Sequence, residues 1–93
     1  MSVMYITVMI ARYEVRVKTS AAKTLDSYDA ALRNRIIAKF DDIAENPRGT
    51  DSKKLEGNIY RVRVGDYRIV YEVHDKERKA VVLRIGHRSE IYR

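Results

Sequence analysis

The sequence predicts an α+β domain: two N-terminal helices packed on one face of a small, mostly antiparallel four-stranded sheet. Three observations lead there. Residues 12–18 alternate polar and apolar with period 2. Residues 29–46 carry an apolar stripe at helical spacing. Residues 60–86 return to period 2 and are broken by two turn signals. A length of 93 residues accommodates one modest core and excludes a Rossmann-type half or a cleft between domains.

The first strand is RYEVRVK, with Tyr13, Val15 and Val17 on one face and Arg12, Glu14, Arg16 and Lys18 on the other. Thr19 or Ser20 offers an N-cap for a short helix over about 20–27. Asp29 caps a longer helix reaching Asn46, with its stripe on Leu32, Ile36, Phe40 and Ile43. Asn46-Pro47 ends it, because the residue before proline avoids the helical region. Residues 48–57 read as a polar loop. Strands follow at Tyr60–Val64, Tyr67–His74 and Lys79–Gly86. Residues 1–11 read as an apolar extension (an extra edge strand, a dimer contact or an upstream start), and 12–93 as the single domain. The first charge is Arg12, so no basic segment precedes the apolar one. Ten residues fall far short of the roughly 20 that span a bilayer, and no membrane partner is expected.

Gly65-Asp66 is a two-residue hairpin signal, and such a turn fixes the register. Val64 then faces Tyr67, Arg63 faces Arg68, Val62 faces Ile69, Arg61 faces Val70 and Tyr60 faces Tyr71. The apolar set forms one face for the helices to cover. Arg61, Arg63 and Arg68 emerge together on the other. Like charges directly opposite each other destabilise a sheet by a few tenths of a kcal/mol or more. Three guanidiniums on one open face instead suit a polyanion, since each pairs two phosphate oxygens. Arg84 joins them if the last strand lies beside Tyr67–His74. Glu14 and Glu72 are the acids able to neutralise part of the cluster. The plain alternative is a solvated basic surface.

The charge distribution agrees. Net charge is +6, from 19 Lys and Arg against 13 Asp and Glu. Residues 1–52 hold 8 basic and 7 acidic side chains, whereas residues 53–93 hold 11 and 6. The excess is C-terminal, as a nucleic-acid footprint would have it. Cysteine is absent, which removes disulfides, a thiol nucleophile and Cys-type zinc sites. A reduced cytoplasmic setting fits. Two histidines are too few for most His-based metal sites. After Gly86 the chain reads His87-Arg88-Ser89-Glu90-Ile91-Tyr92. That run supplies a group that moves protons near neutral pH, a guanidinium for a pentacovalent phosphate, and a ring that stacks on a base.

Taken together, YEVRVKTSAAKTL at 13–25, AENP at 44–47, KKLEGNIYRVRVGDYRIVYEV at 53–73 and IGHRSEIY at 85–92 resemble the RelE/ParE superfamily of toxins, specifically RelE-like mRNA interferases of type II toxin–antitoxin systems. The resemblance spans residues 12–92. It implies an endoribonuclease that cuts mRNA in the ribosomal A site by 2′-hydroxyl attack, with no metal and no cofactor. It implies a RelB-like antitoxin partner, the ribosome and mRNA as further partners, and a toxin–antitoxin hetero-oligomer. It assigns catalysis to Arg61, Arg63, Arg68, His87, Arg88 and Tyr92, and RNA contact to Lys53 and Lys54, with Arg84 added from the strand order. The best-studied pattern has lysine where Arg61 and Arg63 stand. A guanidinium stays protonated at working pH, so these two stabilise charge rather than accept a proton. Related members place histidine at the His87 position. Many members carry a further C-terminal helix where this chain stops at Arg93. The alternatives on the same fold are a ParE-like gyrase inhibitor and a non-toxic member.

Overall fold

The computed structural model describes residues 12–90. The expectations for residues 1–11 and for Tyr92 lie outside the described residues. Along the chain come β1 (Glu14–Val17), α1 (Thr19–Asp26), α2 (Ala30–Glu45), β2 (Ser52–Glu56), β3 (Ile59–Val64), β4 (Tyr67–His74) and β5 (Lys79–His87). The strands form one sheet in the order β1-β5-β4-β3-β2. β1 pairs with β5 in parallel, and every other pair is antiparallel. The helices lie on one face.

The sheet has five strands rather than the four expected. The extra strand is β2, inside the stretch 48–57 read as a loop. Its sequence, SKKLE, has no apolar alternation, and four of its five residues are exposed. It is held by backbone pairing to β3, with a register shift between Lys54 and Glu56. A short, bulged, lysine-bearing strand is a usual way to blunt a sheet edge. Such a strand leaves no period-2 signal to read.

The helix starts differ from one another. Lys18, not Thr19 or Ser20, stands at the N-cap of α1, and its side chain makes no capping bond. Asp29 caps α2 as expected: its Oδ1 accepts from the Leu32 N–H at 2.9 Å. Asp29→Ala is expected to cost about 1 kcal/mol of stability, read as a lower urea midpoint at unchanged slope. The α2 stripe faces the sheet, with Ile36 and Ile43 buried and Leu32 and Phe40 partly buried against the core. Asn46 is extended (φ −152°), and the helix stops there.

Ile69, Tyr71, Val73, Val62, Val82 and Ala80 line the sheet side of this core, all 2% exposed or less. Buried Tyr71 donates its hydroxyl to the Pro47 carbonyl at 2.6 Å, which ties the α2–β2 loop to mid-sheet. At the other end of β4, Asp75 accepts from Tyr13 Oη at 2.6 Å and from Arg48 Nη1 and Nη2 at 3.1 and 2.9 Å. Those bonds hold the Asp75 carboxyl below its ordinary range, Arg48 contributing most. Asp51 is likewise lowered, chiefly by the Lys39 ammonium 2.7 Å away. A depressed carboxyl stabilises the fold above its unfolded pKa, and that contribution disappears as pH falls through the folded value. Stability is therefore expected to drop below about pH 4. Asp51→Asn and Asp75→Asn should each flatten that acid limb in thermal melts across pH.

Candidate nucleic-acid interface

The β3–β4 hairpin has the register read from the sequence. Val64 pairs with Tyr67, Arg63 with Arg68, Val62 with Ile69, Arg61 with Val70 and Tyr60 with Tyr71. Gly65 takes φ +60° while Asp66 does not take positive φ, the pattern of a turn with glycine in its first central position. Arg61, Arg63 and Arg68 consequently share the face away from the helices.

β5 extends this face through a bulge. Val70 pairs with Arg84, but Tyr71 pairs with Val82, so Leu83 is the extra residue. The slip brings Ala80 and Val82 to the core and leaves Arg84 on the outer face. On the other flank Lys53 pairs with Arg61. One row across the sheet thus runs Lys53, Arg61, Val70, Arg84. Three strand spacings give it a width of about 14 Å. The next row runs Arg63, Arg68, Gly86. Arg88 follows β5, and its N–H donates to the Asp66 carbonyl at 2.8 Å, which pins it to the hairpin turn.

Two expected residues stand apart from these rows. Lys54 pairs with Tyr60 and shares the helix-side face. His87 pairs with Tyr67, also on the helix side, and the two rings meet edge to face at 5.4 Å. Tyr28 completes the ladder, 5.2 Å from Tyr67. Burial pushes the Tyr28 phenol up, with Tyr67 and Glu90 adding to it. His87 Nδ1 accepts from the Ser89 N–H at 3.2 Å and lies 2.9 Å from Ser89 Oγ. The neutral ring therefore carries its proton on Nε2. Tyr92 lies outside the described residues.

Among the described residues, the cations of the outer face have no carboxylate partners. The ion pairs among the described residues involve Arg16, Lys39, Arg48 and His74. Lys53, Arg61, Arg63, Arg68, Arg84 and Arg88 form none. The two acids expected to neutralise them are occupied elsewhere: Glu14 on Arg16 at 3.1 Å and Glu72 on His74 at 2.9 Å. Arg68 is the extreme case. It is 8% exposed, the one buried charged side chain among the described residues. Its Nε is buried without a hydrogen-bond partner, and Nη1 has only the Tyr67 carbonyl at 3.4 Å. Burying a charge unpaired is costly. A ligand anion on the outer face would lower that cost.

Other concavities differ in character. A cleft of about 470 Å³ beside the α2–β2 loop is lined by Lys39, Asp42, Glu45, Asp51 and Tyr71 among others, a mixed-charge site away from the arginines. A hollow of about 230 Å³ touches Arg84 and α1. No helix among the described residues is long and apolar enough to cross a membrane. No group of three His, Asp or Glu side chains among them is placed to hold a metal ion.

Known proteins resemble this chain in both sequence and fold. The profile of the family described as the ParE toxin of the type II toxin–antitoxin system parDE matches residues 15–92. Toxin RelG of Mycobacterium tuberculosis is 29% identical over 84 residues, covering 87% of this chain and 97% of RelG. A putative RelE-like toxin protein of Escherichia coli is 30% identical over 87 residues, covering 87% of this chain and 90% of that protein. The crystal structure of the archaeal RelE–RelB complex from Pyrococcus horikoshii superposes with a TM-score of 0.75 at 30% identity, over 85% of this chain and 98% of the matched one. The chain is therefore a member of the RelE/ParE superfamily of type II toxin–antitoxin toxins.

Proposed function

We propose that the protein is a ribosome-dependent endoribonuclease that cuts mRNA in the A site. The observation that carries this reading is Arg68: a buried guanidinium with an unpartnered Nε, in a face of cations without carboxylate partners among the described residues. The reaction is transesterification. The 2′-hydroxyl gives its proton to water as its oxygen attacks the adjacent phosphorus, the bond from phosphorus to the 5′-oxygen breaks, and the leaving oxygen takes up a proton. The products are a 2′,3′-cyclic phosphate and a 5′-hydroxyl, and no metal or cofactor enters.

Arg68 and Arg88 stabilise the charge that develops on the pentacovalent phosphorus. Arg61 and Arg63 hold the non-bridging oxygens and exclude water from them. Lys53 and Arg84, at the ends of the first row, bind flanking phosphates, and Lys54 reaches ribosomal or messenger RNA from the helix side. Tyr92 stacks on a base. His87 is the candidate proton-transfer group; its ring lies on the helix side at the end of β5, so it serves a 5′-oxygen only where the strand passes round the hairpin end beside Arg88. The partner protein is an antitoxin of RelB type, bound as a hetero-oligomer in the cytoplasm. Its acidic segment would fold on binding.

The competing reading is inhibition of DNA gyrase, favoured by the description of the matching family as ParE toxin. Such an inhibitor does not need the set Arg61, Arg68, Arg88 and Tyr92, and the retention of that set together favours cleavage. The two separate on product chemistry. An mRNA carrying a 2′-deoxy sugar at the cut position is expected to resist cutting there, and Arg88→Ala should stop cutting while the protein stays folded. Normal cutting by Arg88→Ala contradicts the assignment of Arg88. Supercoiling inhibition without RNA cutting supports the gyrase reading.

A further inference from the structure

Arg35 sits on α2, outside the rows of the sheet face. Its guanidinium lies against the β3–β4 turn: a Cβ added at Gly65 would meet Arg35 Nη2 at 3.1 Å and Cζ at 3.9 Å. The missing side chain at Gly65 is what lets the guanidinium approach the turn so closely. The neighbouring basic residues of α2 are engaged. Arg33 donates through Nη1 to the Tyr28 carbonyl at 3.0 Å. Lys39 pairs with Asp51 and Asp42. Arg35 pairs with no carboxylate among the described residues. Asp66, in the turn that Arg35 approaches, forms no ion pair with it among the described residues.

The same turn is touched from the other side. Arg88 donates its N–H to the Asp66 carbonyl at 2.8 Å. One arginine thus flanks Gly65 and another is anchored on Asp66. The unpaired cations of the outer face therefore continue past the end of the sheet to the helix side.

We propose that Arg35 binds a backbone phosphate of the RNA strand that lies on the arginine face, away from the cut, so that the strand is held across the hairpin end as well as on the sheet. This rests on the nuclease reading above. Arg35 contributes to binding and takes no part in the chemistry, so its loss should raise KM and leave kcat unchanged.

The test is a salt titration of binding to a short single-stranded RNA without ribosomes. For Arg35→Gln the affinity near 0.1 M salt should fall about five-fold, and the slope of log K against log salt should flatten by about 0.7, one phosphate contact on a single strand. Arg35→Lys keeps the charge and should keep the slope. Arg16→Gln, whose residue is already paired with Glu14, should change neither. Arg35 is exposed, so these variants are expected to fold, and a thermal melt checks it. If Arg61→Gln flattens the slope and Arg35→Gln does not, Arg35 is off the RNA path while the nuclease reading stands. If the parent shows no salt-dependent RNA binding at all, the Arg35 proposal fails, while the nuclease reading stands or falls on cutting with programmed ribosomes.

Discussion

Arg68→Met is expected to leave the protein as stable as the parent, or more stable, while lowering RNA cleavage about 10²–10³-fold. The two effects have opposite signs because they come from one cause. Arg68 is 8% exposed, its Nε has no partner, and Arg63 stands directly opposite it. In the free protein that arrangement costs free energy through desolvation and like-charge repulsion. Methionine keeps the apolar stem of the side chain, ends near the position of Nε, and removes the charge. Replacing a buried charged group by an apolar one of similar volume is often neutral or stabilising. The same charge, aimed at a phosphorus gaining a negative oxygen, is worth about 2.7–4 kcal/mol to the transition state. Chemical denaturation and single-turnover cleavage on the same preparation measure both. A variant that loses stability and activity together would make Arg68 a structural residue.

Ile36→Ala carries the largest expected cost in stability, about 2–5 kcal/mol. Ile36 is 0% exposed and lies in the α2 stripe, within the same buried cluster as Val62, Ile69 and Val82. Truncation removes three carbons from a closely packed site and leaves a cavity that the sheet cannot collapse to fill. A domain of this size has about 5–15 kcal/mol in total, and each lost kcal/mol lowers Tm by roughly 4–8 °C. Ile37, the next residue, is 42% exposed. Ile37→Ala should change stability by about 0.5 kcal/mol or less. Equal losses at the two positions would mean that the helix packs on a different face.

What the sequence made legible depended on how many constraints acted on each element. The β3–β4 hairpin had two that agreed, a two-residue turn and alternating apolar residues, and every pair from Val64–Tyr67 to Tyr60–Tyr71 follows from them. Asp29 and Asn46-Pro47 bounded α2 by cap and breaker chemistry. β2 had no such marks, because an exposed edge strand is held by backbone bonds that any side chain permits. The run after Gly86 puts His87 near the sheet end, and strand parity sets its ring on the helix side, next to Tyr67. The bulge at Leu83 was also hidden: the sequence VVLRIG shows no turn residue, yet Val82 and Ile85, three apart, both face the core. The placement of Arg35 is not legible in the sequence, because the turn it approaches is at a glycine 30 positions away. A helix-borne arginine left without a carboxylate partner was the only available signal.

The central claim is that the arginine face cuts mRNA on the ribosome. Primer extension on mRNA incubated with the purified, antitoxin-free protein tests it most directly, with and without programmed ribosomes. The account predicts cuts inside codons, dependent on ribosomes and absent with Arg88→Ala. Folded protein that leaves the mRNA intact on programmed ribosomes, yet inhibits gyrase supercoiling, would contradict it.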